Sequence, residues 1–303
     1  MIIKKLPEDF IVKETTSIDF SVEGKYAYYL LRKKNYNTLD ALMKVSQVLK
    51  LDLKLFGYAG NKDKRAITEQ YISIRGVKFK ELKLKDLELS LVGRGDKAIQ
   101  LGDLKGNEFE IVVRDLKDKK KGKIEWMINY FDEQRFGTDN MEIGKKILSG
   151  DTKMLEYLPK TLSMLYIHSF QSYVWNKVVE SYLNKRKNHQ IEYSYGSFLF
   201  PIRKPHNKKI PLVGYLTKFK DLELRDLTWK FLDEQHVKLS DFIIPGYPKI
   251  SMEGDDRDLI VNIKNFKLEY EEDDMNPGNY KALLKFSLPK GAYATLVIKR
   301  FFK

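Results

Sequence analysis

Gly60-Asn61-Lys62-Asp63-Lys64-Arg65-Ala66-Ile67-Thr68-Glu69-Gln70 is the stretch on which the reading of this chain turns. It sets one carboxylate, Asp63, among Lys62, Lys64 and Arg65, after a glycine and before a run of strand-like alternation. Cations beside a carboxylate favour its charged form. An aspartate held in this way can act as nucleophile or base on a substrate that the same cations grip by its phosphates. The competing reading is a solvated basic turn, the usual fate of a charge cluster.

Outward from this loop, Tyr71-Ile72-Ser73-Ile74-Arg75 alternates polar and apolar residues, as a half-buried strand does. On the other side Asn37-Thr38 opens a helix, with Thr38 as N-cap and Leu39, Leu42, Met43 and Leu49 on one face. Residues 1–14 read as a strand interrupted at Pro7, and Phe109, Ile111 and Val113 alternate with Glu108 and Glu110 in another. Lys117–Lys123 is a basic turn into a helix carrying Trp126 and Met127, or a segment that touches phosphate. The longest helix is expected from about Leu162 to Leu183, where Leu162, Tyr166, Phe170, Val174 and Val178 recur at helical spacing. Arg203–Lys209, between Pro201 and Pro211, is either an exposed linker or an RNA-contacting loop, and a helix around Asp226–Gln235 follows. Runs around Leu259–Lys264 and Tyr280–Leu288 can pair antiparallel across the acidic loop Glu271–Asp274. The succession is strand-rich, helix-rich from about residue 141 to 240, then strand-rich again. That order predicts an α+β sheet domain interrupted by a mainly helical insertion.

Composition narrows the partners. A hydrophobic fraction of 43% suffices for a real core, and 303 residues allow one large domain or two ordinary ones. The net charge of +13, with a pI near 9.4, points to a polyanion, nucleic acid before an acidic membrane. A lysine-rich solvated surface is the alternative. With no cysteine there is no disulfide, thiolate metal site or cysteine nucleophile. The charged N-terminus has no signal-peptide core and no apolar run is long enough for a bilayer, so a soluble, cytoplasmic protein is expected. His168, His189, His206 and His236 form no ligand-like pattern, Gly93-Arg94-Gly95 is too short for a dinucleotide fingerprint, and no P-loop lysine exists. No cofactor is expected.

A second stretch, Asn129-Tyr130-Phe131-Asp132-Glu133-Gln134-Arg135-Phe136-Gly137, interleaves aromatics with amides and an arginine. Such a set suits a splayed-out base: rings stack, an amide reads an edge, and the arginine meets phosphate. It equally suits a helix end capped by Gly137 with its aromatics in the core.

The two stretches together resemble the signatures of the TruD family of RNA pseudouridine synthases: G-x-K-D-K-x-A-x-T-x-Q for the first and N-x-F-x-x-Q-R-F-G for the second. Lys4-x-x-Pro7-x-Asp9-Phe10 is similar to the family's opening motif, and Phe286-x-Leu288-Pro289-x-Gly291-Ala292-Tyr293-Ala294-Thr295 to its C-terminal one. Leu101-Gly102-x-Leu104-x-Gly106-Asn107-x-Phe109 matches a glycine-marked turn into a strand. Departures are Asp132 where many relatives have glycine and Ala292 where relatives often have serine.

The resemblance implies a mixed or antiparallel-sheet catalytic domain from residues 1–150 and 246–303, with the family's insertion domain at 151–245. It implies isomerisation of a uridine in tRNA, usually at position 13: the C1′–N1 bond breaks, the uracil turns, and C5 joins C1′. Asp63 would be catalytic, Lys4 would hold it, Phe131 would stack on the base and Asn129 would order the site. Phe10, Lys62, Lys64, Gln134 and Arg135 complete the expected substrate-binding set. A monomer is expected, with no protein partner. A non-catalytic basic RNA-binding or chaperone protein is the alternative, and a hydrolase using Asp63 as base is a third class.

Overall fold

The computed structural model describes residues 1–302, and the chain divides into two compact units. The first comprises Met1–Glu125 and Asn262–Gly291; the second comprises Trp126–Val261 and the residues from Ala292 onward. These breaks differ from the 150/151 and 245/246 boundaries that the resemblance implies. Segment 126–150 goes with the helices because the helix Asn140–Leu148 lies directly on the long helix. A Cβ at Gly144 would meet the Tyr166 carbonyl oxygen at 2.1 Å, so only glycine allows that approach.

The first unit is built on a ten-stranded mixed sheet. Across it the order is Lys264–Glu272, Tyr280–Pro289, Leu104–Leu116, Phe10–Thr16, Ile67–Arg75, Tyr26–Lys34, Leu87–Gly95 and Glu81–Leu84. Ile2–Ile3 joins Leu104–Leu116, and Phe56–Tyr58 joins Ile67–Arg75. Phe10–Thr16 runs parallel to Ile67–Arg75; the other pairs are antiparallel. Strand alternation turns Ala27, Tyr29 and Leu31 to one face with Ile72, Ile74, Leu87 and Leu89. Ala41, Leu42 and Val45 of the helix Thr38–Leu49 cover that face. Each valine, leucine or isoleucine among them contributes about 1.5–3 kcal/mol on burial.

Four local expectations change. The N-cap of Thr38–Leu49 is Asn37, whose side chain accepts from the Asp40 N–H at 2.8 Å, which leaves the Thr38 hydroxyl free for another task. Leu39 and Met43 are exposed, so the buried stripe follows Ala41, Leu42 and Val45 instead. Trp126–Ile128 is a strand paired with Ile260–Asn262, because three apolar residues after a charged loop make no helical stripe. That pairing occupies the run near Leu259, and the antiparallel partner of Tyr280–Pro289 is therefore Lys264–Glu272.

The second unit is organised by the helix Lys160–Leu183. Phe170, Val174 and Val178 are buried on it as the spacing predicted, and so are Trp175, Val179 and Leu183, because the helix is covered from several sides. Around it lie the helices Asn140–Leu148 and Leu222–Glu234 and the hairpin Asn188–Tyr193/Gly196–Pro201. Among the described residues no helix is long and apolar enough to cross a membrane.

Candidate active site

In the first unit Asp63 stands on an exposed loop, and Lys4, far away in sequence, pairs with its carboxylate. Both ends of this contact are built by the fold. Lys4 adopts a positive φ of 56°, rare for a non-glycine residue, between the strand Ile2–Ile3 and the short 3-10 turn Pro7–Asp9. Asp9, 1% exposed, receives the Arg114 guanidinium through Nε at 3.0 Å and Nη2 at 2.9 Å, and accepts the Leu6 N–H at 3.0 Å. The Lys4 ammonium lies 4.2 Å above the Phe10 ring centroid. The opening motif is thus a bracket: Asp9 anchors it, Phe10 supports the ammonium, and Lys4 reaches the aspartate.

The Asp63 loop is tied from below by a buried polar layer. Thr38 Oγ1 accepts the Lys62 N–H at 2.9 Å and donates to Gln70 Oε1 at 2.8 Å, while Gln70 Nε2 donates to the Gly60 carbonyl at 3.1 Å. Lys62 Nζ turns inward to Glu14 Oε2 at 2.7 Å, both side chains almost fully buried. Glu14 also fills a gap in the sheet. Ile67–Arg75 changes neighbour there, from Phe10–Thr16 to Phe56–Tyr58, and the unclaimed Tyr71 N–H donates to Glu14 Oε1 at 3.3 Å. The Lys33 ammonium donates to the carbonyls of Tyr36 at 2.6 Å and Asp63 at 3.2 Å. A-x-T-x-Q therefore reads as the inward face of the strand Ile67–Arg75 and its entry: Thr68 and Gln70 on the strand, and Ala66 just before it, are all fully buried.

In the second unit the strand Trp126–Ile128 delivers Asn129 and Phe131. Asn176 on the long helix clamps Phe131, accepting its N–H at 3.0 Å and donating to its carbonyl at 2.9 Å. The ring is 5% exposed and meets Trp175 and Tyr293 edge-on. Arg257 lies 3.9 Å above its centroid and Arg135 at 5.6 Å. Asn129 holds Arg257, whose Nη2 donates to Asn129 Oδ1 at 2.7 Å and whose Nε donates to the Asn129 carbonyl at 2.8 Å. Burial lowers the Arg257 pKa to about 10. Asp132 caps the 3-10 turn Glu133–Arg135 and anchors the final helix, accepting from Thr295 Oγ1 and from Lys299 Nζ at 2.7 Å. Ala292 leads into that helix, so the C-terminal signature is fixed by the departure at 132.

The family described as tRNA pseudouridine synthase D (TruD) matches residues 1–155 and 203–301. The chain belongs to this family. It is 26% identical to tRNA pseudouridine synthase D of Aquifex aeolicus, over 99% of this chain and 97% of that one. It is 28% identical to "Probable tRNA pseudouridine synthase D" of Methanosarcina barkeri, over 98% of this chain and 92% of that one. A crystal structure of a Methanosarcina mazei protein titled "Putative tRNA pseudouridine synthase D (TruD)" superposes with a TM-score of 0.68 at 27% identity, covering 99% of this chain and 93% of that one. TruD proteins are isomerases, and this chain is an enzyme of the pseudouridine synthase class with the α+β fold expected for one.

Within this TruD chain the expected site residues fall into four groups. Lys4, Phe10 and Asp63 are assembled on the first unit, and Asn129, Phe131 and Arg135 on the second. Lys64 and Gln134 are exposed. Lys62 does not reach outward: its ammonium is buried against Glu14, so the TruD motif uses it to hold the loop rather than a phosphate. Four contributors escaped the sequence reading. Lys33 continues the buried face of Ala27, Tyr29 and Leu31 by strand period, a signal that was present. Thr38 was assigned to the helix cap. Glu14 lies in a charged stretch, and Arg257 among Asp255, Asp256 and Asp258 has the look of a solvated face.

Proposed function

We propose that this protein converts a uridine of tRNA to pseudouridine, with Asp63 as the catalytic group and position 13 as the target, in the cytoplasm. The observation that carries this reading is the exposed Asp63 carboxylate, gripped by Lys4 while its loop is pinned by buried Thr38, Gln70 and Lys62. A charge held this rigidly at a surface is what a group acting on a ribose or an everted base requires. Uracil is both leaving group and acceptor, so the rearrangement balances with no added reactant. A protein that only binds RNA gains nothing from a fixed anion facing phosphates. Incubating the enzyme with unmodified tRNA transcripts and mapping pseudouridine tests the proposal. Modification at position 13 is expected; modification elsewhere would overturn the position, and none at all would overturn the activity.

Phe131, Arg135 and Arg257 are inferred to contact the RNA substrate as an aromatic ring flanked by two guanidiniums. Burial decides how this is tested, because Phe131→Ala would also remove core packing worth about 3–5 kcal/mol. Phe131→Leu keeps most of the volume. It is expected to stay folded by circular dichroism yet lose roughly tenfold or more in turnover, the scale of one lost base–ring stack. A wild-type rate in this variant would remove the ring from substrate contact.

A further inference from the structure

Lys33 is 1% exposed in the strand Tyr26–Lys34, and its ammonium donates to three carbonyls: Tyr36 at 2.6 Å, Asp63 at 3.2 Å and Lys62 at 3.5 Å. Among the described residues no carboxylate forms an ion pair with it. Burying an ammonium on carbonyl dipoles alone is costly, and a methionine would fill the same space without that cost. Directly across the sheet, Thr68 keeps a fully buried hydroxyl with no hydrogen-bond partner. The two unfavourable features are cross-strand partners, and the first of them lies against the Asp63 loop. They do not serve stability.

We propose that Lys33 is a positioning residue for the catalytic step: by clamping the carbonyls of Tyr36, Lys62 and Asp63 it fixes the peptide from which the Asp63 carboxylate meets Lys4. The proposal rests on Asp63 being the catalytic group. Only an ammonium satisfies three carbonyls at once, since the neutral amine has two hydrogens.

This clamp is sensitive to pH. Burial lowers the Lys33 pKa to about 8; the negative charge of Asp63 opposes the shift, Lys62 adds to it, and Asp40 opposes it. Its direct cross-strand neighbours, Thr68 and Leu87, bring no charge, and strand alternation turns Glu69 and Glu88 to the other face. The pKa lies below the ordinary lysine value, so the clamped form is present below about pH 8 and is lost as pH rises through it.

The test is single-turnover tritium release from tRNA labelled at uracil C5, for wild type and Lys33→Met, between about pH 6 and 10. Near neutral pH, Lys33→Met is expected to react about 10- to 100-fold more slowly, the cost of a misplaced reacting group, with unchanged tRNA affinity. The wild-type rate should fall across pH 8, and that fall should be missing from the variant. Equal rates, or the same alkaline fall in both, would overturn the proposal. Should Lys33→Met not fold, the wild-type profile decides alone, since a rate that stays flat from about pH 6 to 10 contradicts a clamp that needs the ammonium. A wild-type enzyme that releases no tritium near neutrality would instead refute the catalytic reading of Asp63, so the two failures are distinct.

Discussion

Asp63→Asn is expected to abolish turnover on tRNA, a loss of about 10⁴-fold at the upper end of what a positioned acid, base or nucleophile supplies. The asparagine is nearly isosteric and stays on a loop held by Thr38, Gln70, Lys33 and the Lys62–Glu14 pair, none of which involves the carboxylate itself. Folding should therefore be unaffected. RNA affinity should hold as well, since the substitution removes a negative charge from a protein of net charge +13. Lys4 would lose its partner and remain over Phe10. A defect in turnover alone, with folding and affinity intact, separates a catalytic aspartate from a structural one.

Arg114→Met is expected to destabilise the first unit by about 3–5 kcal/mol, the cost of stranding buried charges when one partner is removed. Arg114, 6% exposed, binds Asp9 through Nε and Nη2, and Asp273 and Asp274 through Nη1 at 3.0 and 2.9 Å. Burial alone would raise the Asp273 pKa. Hydrogen bonds from Asn276, the Asp115 and Met275 N–H groups and Arg114 overcome this and hold it far below the usual carboxylate range. A depressed carboxylate stabilises the fold above its ordinary pKa, and that contribution is lost as pH falls towards the folded value. Urea titration should thus show a wild-type stability that declines in acid and a variant in which part of the decline is missing. Because Asp9 anchors the segment bearing Lys4, turnover should drop together with stability. A variant within about 1 kcal/mol of wild type would show that the network is not a buried ion-pair core.

Much of this was readable in the residues. Lys4, Asp63 and the Asp9 anchor stand in short motifs whose order survives any loop length. The sheet and the long helix announced themselves by period, through Tyr71–Arg75 and through Phe170, Val174 and Val178. What stayed hidden depends on contacts distant in sequence. Nothing local says that Lys62 turns to Glu14 rather than to solvent, since burial of an ion pair is decided by the strand exchange at Tyr71. Thr38 looked like a cap because Asn37 and Thr38 are chemically equivalent candidates, and only the fold assigns one to the helix and one to the loop. Arg257 acquires meaning only once Asn129 reaches across 128 residues to hold it. Trp126–Ile128 was misread because a three-residue run carries no period at all.

The most direct test of the central claim is tritium release from C5-labelled tRNA at saturating enzyme, run in parallel with tRNA binding for wild type and Asp63→Asn. Rapid release by the wild type and none by the variant, at equal affinity, is the predicted result. Release by Asp63→Asn at the wild-type rate would contradict the assignment of the chemistry to this carboxylate.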